Sequence, residues 1–419
     1  VIFIYLPHPY VTRPEMYAPL GVMILASILR NHNIDASIKN YSHFSFEEAI
    51  EDLPKKDVYG ITCTSLELPD ANKFSKLIKS KFPKSKVVLG GPGTLTPENV
   101  DWSSVDSVVY GEAELEIIKI YYDLKNGIYE KEYIPKFIKN LDDLPFPYRT
   151  DESIGCNIFS FNTNDNRSSV IMTGRGCPYN CCYCASKKLN KGTIRYRSID
   201  NVIEEIREVK ERFNVRQFRI LDEMLNANKS RLYEFCDKVK DLDISWRLPL
   251  RVKPLDLDIL KAMKRAGCKE VSFGIESFDD NVLEILNKKT TSNQNALALF
   301  LTKEVGLVTR VFLLLRTPGQ TQVTMKINMK YLNIVPYDVV TCSTLVPFPG
   351  TDLWYHPEKY NIEILTKDLS LYNIWSYGPE GERDWPDIIK PLDRSLKEFN
   401  EEANEMKRYL KLTGKWNRG

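Results

Sequence analysis

The chain has 419 residues with 58 Lys and Arg against 56 Asp and Glu, a formal net charge of +2. At about 150 residues per domain, this allows two or three domains and excludes a small scaffold stapled by disulfides or metal. With 43% hydrophobic and 27% charged residues, wholesale disorder, collagen and coiled coil fall away, and no overall positive field indicates nucleic acid as a partner. Apolar runs such as Leu20 to Leu29 stop well short of the roughly 20 residues that cross a bilayer, so no membrane span is expected. Val1 to Leu6 gives way to Pro7, His8 and Pro9 without the basic start and cleavage site of a secretory signal, so a reducing cytoplasm is expected.

Short β-rich runs open the chain at Val1 to Leu6, Ala36 to Lys39, Val58 to Cys63, Lys86 to Leu89 and Val105 to Tyr110. Between them, Leu20, Met23, Ile24, Ser27 and Ile28 share one helical face, and Ala71, Phe74, Leu77 and Ile78 share another. This βαβα alternation predicts a doubly wound, Rossmann-like parallel sheet over residues 1–145, with ligands beyond the carboxyl ends of its strands. Those ends carry Pro7-His8, Thr62 to Ser65, Gly90-Gly91-Pro92-Gly93 and Tyr110-Gly111-Glu112, and the glycines would let a bulky ligand approach the backbone. A proline-punctuated stretch from Leu144 to Tyr148 and the polar run from Asn162 to Ser169 have the composition of a connection, placed at 146–168.

Six further strands follow near Val170 to Thr173, Arg216 to Leu221, Ile244 to Leu250, Glu270 to Ile275, Val308 to Leu315 and Asp338 to Leu345. Helical patterns separate them: Val202, Ile206, Val209 and Phe213 share a face, as do Leu257, Leu260, Met263 and Ala266, the latter closed by Gly267. Six βα units predict a partial β/α barrel over 169–355. Residues 356–419, with a last helix around Leu396 to Leu410, read as a small carboxy-terminal cap.

Nine cysteines are too sparse for a disulfide framework, yet Cys177, Cys181, Cys182 and Cys184 crowd into eight positions. Their CxxxCxxC spacing directly follows the first barrel strand, at the catalytic end of such a fold. Three thiolates on one loop would hold three irons of a four-iron cluster and leave the fourth open. A zinc site built from three cysteines and a remote histidine is the competing reading, but there are only four histidines, none near the cluster.

With the barrel behind it, this motif resembles the radical S-adenosylmethionine (SAM) superfamily, in which the three cysteines hold a 4Fe–4S cluster and SAM chelates the open iron. The resemblance makes Cys177, Cys181 and Cys184 the cluster ligands and Cys182 a bystander, with Tyr183 near the adenine. Gly174 and Gly176 would let the loop turn tightly. Asp222 or Glu223, ending Phe218 to Glu223, falls where the family usually has an acid near the SAM amino group. Arg251, ending Trp246 to Arg251, would suit the SAM carboxylate. Glu276 and Ser277 end Ala266 to Ser277, a stretch that resembles one approaching SAM in the family. Thr317 to Thr321 and Pro347 to Thr351 resemble the loops after strands five and six, although Arg316-Thr317 and Gln320 replace the family's usual Gly and Glu.

Tyr17 to Gly21, Val87 to Pro92 and Tyr110 to Glu114 resemble the cobalamin-binding domain of one large branch of this superfamily. That implies a nucleotide tail passing Gly90 and Gly91, with Thr62, Thr64, Ser65, Gly111 and Glu112 as contacts. No DxHxxG motif is present, and His8 lacks the Asp two residues before it and the Gly three after, so cobalamin without a histidine lower ligand is expected. Methylthiotransferases share the layout but need three more cysteines in the amino-terminal domain, where Cys63 stands alone.

The resemblance implies methylation of an unactivated carbon. A 5′-deoxyadenosyl radical would abstract hydrogen, and the substrate radical would take a methyl group from methylcobalamin. It also implies a substrate bound between the domains and an external electron donor of flavodoxin or ferredoxin type; in the cap, which the resemblance does not cover, Trp375, Tyr377, Arg383 and Trp385 are candidate substrate contacts. Two alternatives stand beside it: a radical SAM cyclase or rearrangement enzyme with cobalamin absent or not used for methyl transfer, and a non-enzymatic cobalamin- or iron–sulfur-binding module.

Overall fold

The computed structural model describes residues 1–6, 18–163, 167–374 and 384–416, with the backbone alone of 377–378 and 381–382. His8, Tyr17, Trp375, the Tyr377 side chain and Arg383, singled out above, lie outside the described residues. The chain divides into two compact units, 1–153 with 368–372, and 154–367 with 373–419.

In the first unit β1 (Ile2–Tyr5), β2 (Ser37–Asn40), β3 (Val58–Thr62), β4 (Lys86–Gly90), β5 (Ser107–Val109) and β6 (Glu132–Tyr133) form one sheet, ordered β2-β1-β3-β4-β5-β6. Every pairing is parallel. The order reverses at β1 and β3, and the crevice beyond their carboxyl ends is where such sheets take ligands. Five of these strands are read from the sequence; β6, one exposed and one buried residue, is too short to show an alternation. Helices α1 (Leu20–Asn31), α2 (Phe46–Asp52), α3 (Leu68–Lys81) and α4 (Ile117–Asn126) connect the strands. α1 buries Leu20, Met23, Ile24, Ser27 and Ile28, and α3 buries Ala71, Phe74 and Ile78. α2 starts with a capping box: the Ser45 hydroxyl accepts from Glu48 N–H, and the Glu48 carboxylate accepts from Ser45 N–H. Gly127 closes α4 at φ 73°.

In the second unit β7 (Ser168–Ile171), β10 (Gln217–Ile220), β11 (Ser245–Leu250), β12 (Cys268–Glu276), β13 (Val308–Leu315) and β14 (Val339–Thr344) form a parallel sheet in which each strand pairs with the one before it. This order has no reversal and is that of a partial barrel. A two-residue antiparallel pair, β8 (Gly174–Arg175) and β9 (Arg195–Tyr196), stands above β7 in the chain. The intervening helices are α5 (Ser186–Leu189), α6 (Ile199–Phe213), α7 (Lys229–Val239), α8 (Leu257–Arg265), α9 (Asp280–Ile285), α10 (Ser292–Val305), α11 (Gln322–Ile334), α12 (Asp352–Tyr355) and α13 (Leu396–Thr413). α6 shows why the pattern folds: Ser198 caps its start, Ile199, Val202, Ile206, Val209 and Phe213 are buried, and left-handed Asn214 ends it. Each such side chain contributes roughly 1.5–3 kcal/mol on burial.

Strand alternation sends Val271 and Phe273 of β12, and Val311, Leu313 and Leu315 of β13, into this helix-side core. The opposite face is polar at the amino-terminal ends of these strands and apolar further along, at Phe312 and Leu314. Glu270, fully buried, accepts from Arg247 (3.2 Å), Arg310 (3.3 Å) and both the N–H (2.7 Å) and hydroxyl (2.8 Å) of Ser160. Thus residues 154–163 of the stretch read as a connection lie in the second unit, where Gly155 pairs with Ser168 and Ser160 meets Glu270. At the carboxy terminus, α13 packs on α11, and Val340 N–H donates to the Lys415 carbonyl (2.9 Å).

Candidate active site

Beyond β7 the chain passes Thr173 and β8 into the cysteine loop and returns through α5 and β9. Gly176 has φ 103°, and a Cβ there would lie 2.0 Å from the Thr193 carbonyl oxygen, so the turn requires glycine. The base of the loop is pinned at Thr173. Asp222 accepts from its N–H (2.6 Å) and hydroxyl, while Arg231 donates to its hydroxyl (3.0 Å) and carbonyl (2.8 Å). Desolvation pushes the buried Asp222 carboxyl up to about 6 against the pull of the Thr173 hydrogen bonds. The adjacent Glu223 is exposed and accepts from Gly176 N–H (2.9 Å) and the Asn190 amide (3.1 Å). Of the two acids expected near the SAM amino group, Glu223 is open to a ligand and Asp222 is enclosed as a loop support.

Cys181 is buried, Cys177 half-buried and Cys184 exposed. Cys182 points inward: its N–H donates to the Leu286 carbonyl (3.1 Å), its carbonyl accepts from Leu353 N–H (3.1 Å), and burial pushes its thiol up, which keeps it protonated. Arg251 donates to Cys181 Sγ (3.7 Å) and to the Lys288 carbonyl, and its guanidinium lies 3.7 Å from the Tyr179 ring centroid. One terminal nitrogen therefore serves the cysteine loop and the other the segment between α9 and α10; its buried Nε has no partner among the described residues.

A bulge between Gly274 and Glu276 ends β12 and leaves Glu276 at φ 62°. Glu276 Oε1 accepts from Lys288 Nζ (2.8 Å) and the Tyr183 hydroxyl (3.1 Å). Gly274 makes room for this pair, since a Cβ there would lie 2.7 Å from Glu276 Oε1. Tyr183 and Glu276 open onto a cavity of about 310 Å³, otherwise lined mainly by apolar residues including Phe312, Leu314, Val346 and Phe348. Ser277 is not brought there: its hydroxyl accepts from Asp279 N–H (3.0 Å) and meets Asn328 (3.3 Å) in a buried network. Lys288 was not singled out in the sequence, where nothing but a lysine in a loop marks it.

The departures after β13 also have a structural role. Arg316 donates to the Pro386 carbonyl (2.9 Å), and Gln320 donates to Glu402 (3.4 Å) while its carbonyl accepts from Arg394. Both hold the carboxy-terminal segment. Trp385 is buried there, with its indole N–H donating to the Ile374 carbonyl (3.1 Å).

In the first unit, the glycines divide into two kinds. Gly91, at φ 90°, would place a Cβ 2.7 Å from the Cys63 carbonyl oxygen and 2.9 Å from Thr62 Oγ1, so it is required by the packing of the loop. Around Gly90 and Gly111 nothing lies within 4 Å of an added Cβ. Thr62 is half-buried, Thr64 exposed and Ser65 buried; Thr64 N–H donates to Glu67 (2.7 Å), and Glu112 is half-buried.

These residues fit the groups expected of them. Three thiols on one tight loop suit a cluster whose ligands sit on separate irons, and among the described residues no three His, Cys, Asp or Glu side chains converge as for a single ion. The carboxylates of Glu223 and Glu276, with the Lys288 ammonium beside the latter, suit the zwitterionic end of SAM. The open backbone at Gly90 and Gly111 leaves room for cobalamin.

Comparison with known proteins agrees. The radical SAM superfamily model matches residues 171–331 and the B12 binding domain model matches residues 11–119. The uncharacterized methyltransferase PH0819 of Pyrococcus horikoshii is 29% identical over 377 residues, 84% of this chain and 81% of that protein. The anaerobic magnesium-protoporphyrin IX monomethyl ester cyclase of Rubrivivax gelatinosus is 25% identical over 391 residues, covering 87% and 69% of the two chains. Among solved structures, the radical S-adenosylmethionine methyltransferase TsrM of Kitasatospora setae shares the fold, with TM-score 0.73 and 13% identity over 100% of this chain and 91% of that one. Among the described residues no helix is long and apolar enough to cross a membrane. A radical SAM domain and a B12 binding domain are thus both present in the chain, and together they imply a 4Fe–4S cluster, SAM and cobalamin as its cofactors.

Proposed function

We propose that this enzyme methylates an unactivated carbon of an apolar substrate. The observation that carries the reading is the apolar cavity onto which Tyr183 and Glu276 open, at the same strand ends as the cysteine loop. Bound together, the reduced cluster and SAM supply a 5′-deoxyadenosyl radical, and cobalamin supplies a transferable methyl group.

The chain's own residues supply position and shielding. Arg251 and Tyr179 hold the loop at Cys181, while Glu223 and Glu276 offer carboxylates to the SAM amino group. Phe312, Leu314 and Phe348 keep water from the reacting carbon. The cofactor contacts Thr62, Thr64, Ser65, Gly90, Gly91, Gly111 and Glu112 line the ligand edge of the first sheet, and an external one-electron donor completes the set of partners.

The test is anaerobic incubation of the reconstituted, reduced protein with SAM that carries a CD₃ methyl group. 5′-Deoxyadenosine release together with label in an extracted apolar acceptor supports the proposal. A cyclase reading is favoured by the relative from Rubrivivax gelatinosus; 5′-deoxyadenosine without label transfer, or protein that retains no cobalt, would remove methyl transfer.

A further inference from the structure

Three consecutive residues between α9 and α10 grip the cysteine loop. The Leu286 carbonyl accepts from Cys182 N–H (3.1 Å), the Asn287 amide donates to the Asn180 carbonyl (2.6 Å), and Lys288 Nζ donates to the Tyr183 hydroxyl (3.2 Å). Asn287 and Lys289, on either side of Lys288, have φ 54° and 58°. Such left-handed non-glycine residues are uncommon, and their surroundings must impose them.

Lys288 itself is 5% exposed. A buried ammonium needs partners, and Glu276 Oε1 and the Tyr183 hydroxyl are the two described for it. An ammonium has three donors, so one remains. Both described donors to Glu276 fall on Oε1, so Oε2 remains as well. Among the described residues, the pair thus keeps one ammonium N–H and one carboxylate oxygen without a partner. Arg251, which the resemblance would assign to the SAM carboxylate, has each terminal nitrogen held, at Cys181 and at the Lys288 carbonyl, and its remaining nitrogen, Nε, is buried.

We propose that Lys288, rather than Arg251, supplies the cation that orients the carboxylate of SAM, with Glu276 receiving its ammonium as the matching half of the pair. This rests on the radical SAM reading above. An α-amino acid end carries one charge of each sign, and a lysine–glutamate pair can meet both at once without leaving either protein charge buried alone.

The test uses the reconstituted full chain and two probes in equilibrium dialysis: SAM, and 5′-methylthioadenosine, which lacks the amino acid end. Lys288→Met should weaken SAM about tenfold or more, leave 5′-methylthioadenosine within about twofold, and delay the SAM-induced change in the electron paramagnetic resonance spectrum of the reduced cluster to higher SAM concentration. Lys288→Arg should restore most of the affinity. Unchanged SAM affinity in Lys288→Met, or equal loss for both probes with full iron content, overturns the assignment. Should Lys288→Met lose iron, Lys288→Gln and Lys288→Arg decide by the same ratio of the two probes. Wild-type protein that takes up iron but binds neither probe would refute the radical SAM reading itself, and the assignment with it.

Discussion

The two sheets offer ligands opposite kinds of surface. At the carboxyl end of the first sheet the chain withdraws its side chains: Gly90 and Gly111 face open space, and Gly91 packs the loop down onto Thr62 and Cys63. At the mouth of the second, side chains crowd and interlock, so that Tyr183, Glu276, Lys288 and Arg251 share partners. A surface made of backbone is sensitive to added bulk and indifferent to most changes of charge. A surface made of paired charges is sensitive to the loss of either partner.

The sharpest way to break this contrast is at the cysteines. Cys181→Ala should abolish the iron content and 5′-deoxyadenosine formation of the reconstituted protein, while Cys182→Ala, whose thiol is turned inward, should retain iron; metal analysis and absorption spectra distinguish the two. Next in size is the pair of neighbouring glycines. Gly91→Ala should cost about 2–4 kcal/mol through strain and overlap at Cys63, measured by denaturant unfolding. Gly90→Val should leave stability within about 1 kcal/mol and reduce cobalamin retained after gel filtration by about tenfold.

Asp222 gives a pH-dependent effect of similar order. Its folded value of about 6 lies above the ordinary 3.8, so the folded protein holds this proton more tightly than the unfolded chain does. The resulting stabilisation is complete below the unfolded value and is lost as pH rises through the folded one. The stability of the wild type relative to Asp222→Asn should therefore fall by on the order of 3 kcal/mol between about pH 4 and 6.5; a flat difference would mean that the carboxyl is not desolvated. Smallest is Ser277→Ala, expected to cost about 1 kcal/mol by removing its buried hydrogen bonds while SAM affinity stays unchanged. A large loss of SAM affinity would return Ser277 to the ligand site.

Legibility from the sequence followed the distance over which each signal acts. β13 spans Val308–Leu315, as its short run of β-branched and apolar residues predicts, because such a signal is local; β6 is too short, at two residues, to carry one. The cysteine loop was visible because its spacing lies within eight positions. Lys288 and Arg231 were not visible: one reaches Tyr183 across 105 positions and the other reaches Thr173 across 58. Asp222 and Glu223 are adjacent in sequence just beyond β10, yet one is buried and the other exposed, a division that composition does not show.

β12 carries a glutamate near each end. Glu270 ties together the floor of the barrel, and Glu276 serves its mouth, six positions and about 20 Å further along. The extra residue at the bulge by Gly274 sets where the second glutamate emerges. A one-codon insertion or deletion between them would invert the facing of every residue downstream. It would drive Glu276 into the apolar helix layer and Ile275 into the mouth. This stretch should therefore accept conservative replacements at single positions but no change of length, and a deletion scan of the gene would register it as a gap with sharp borders.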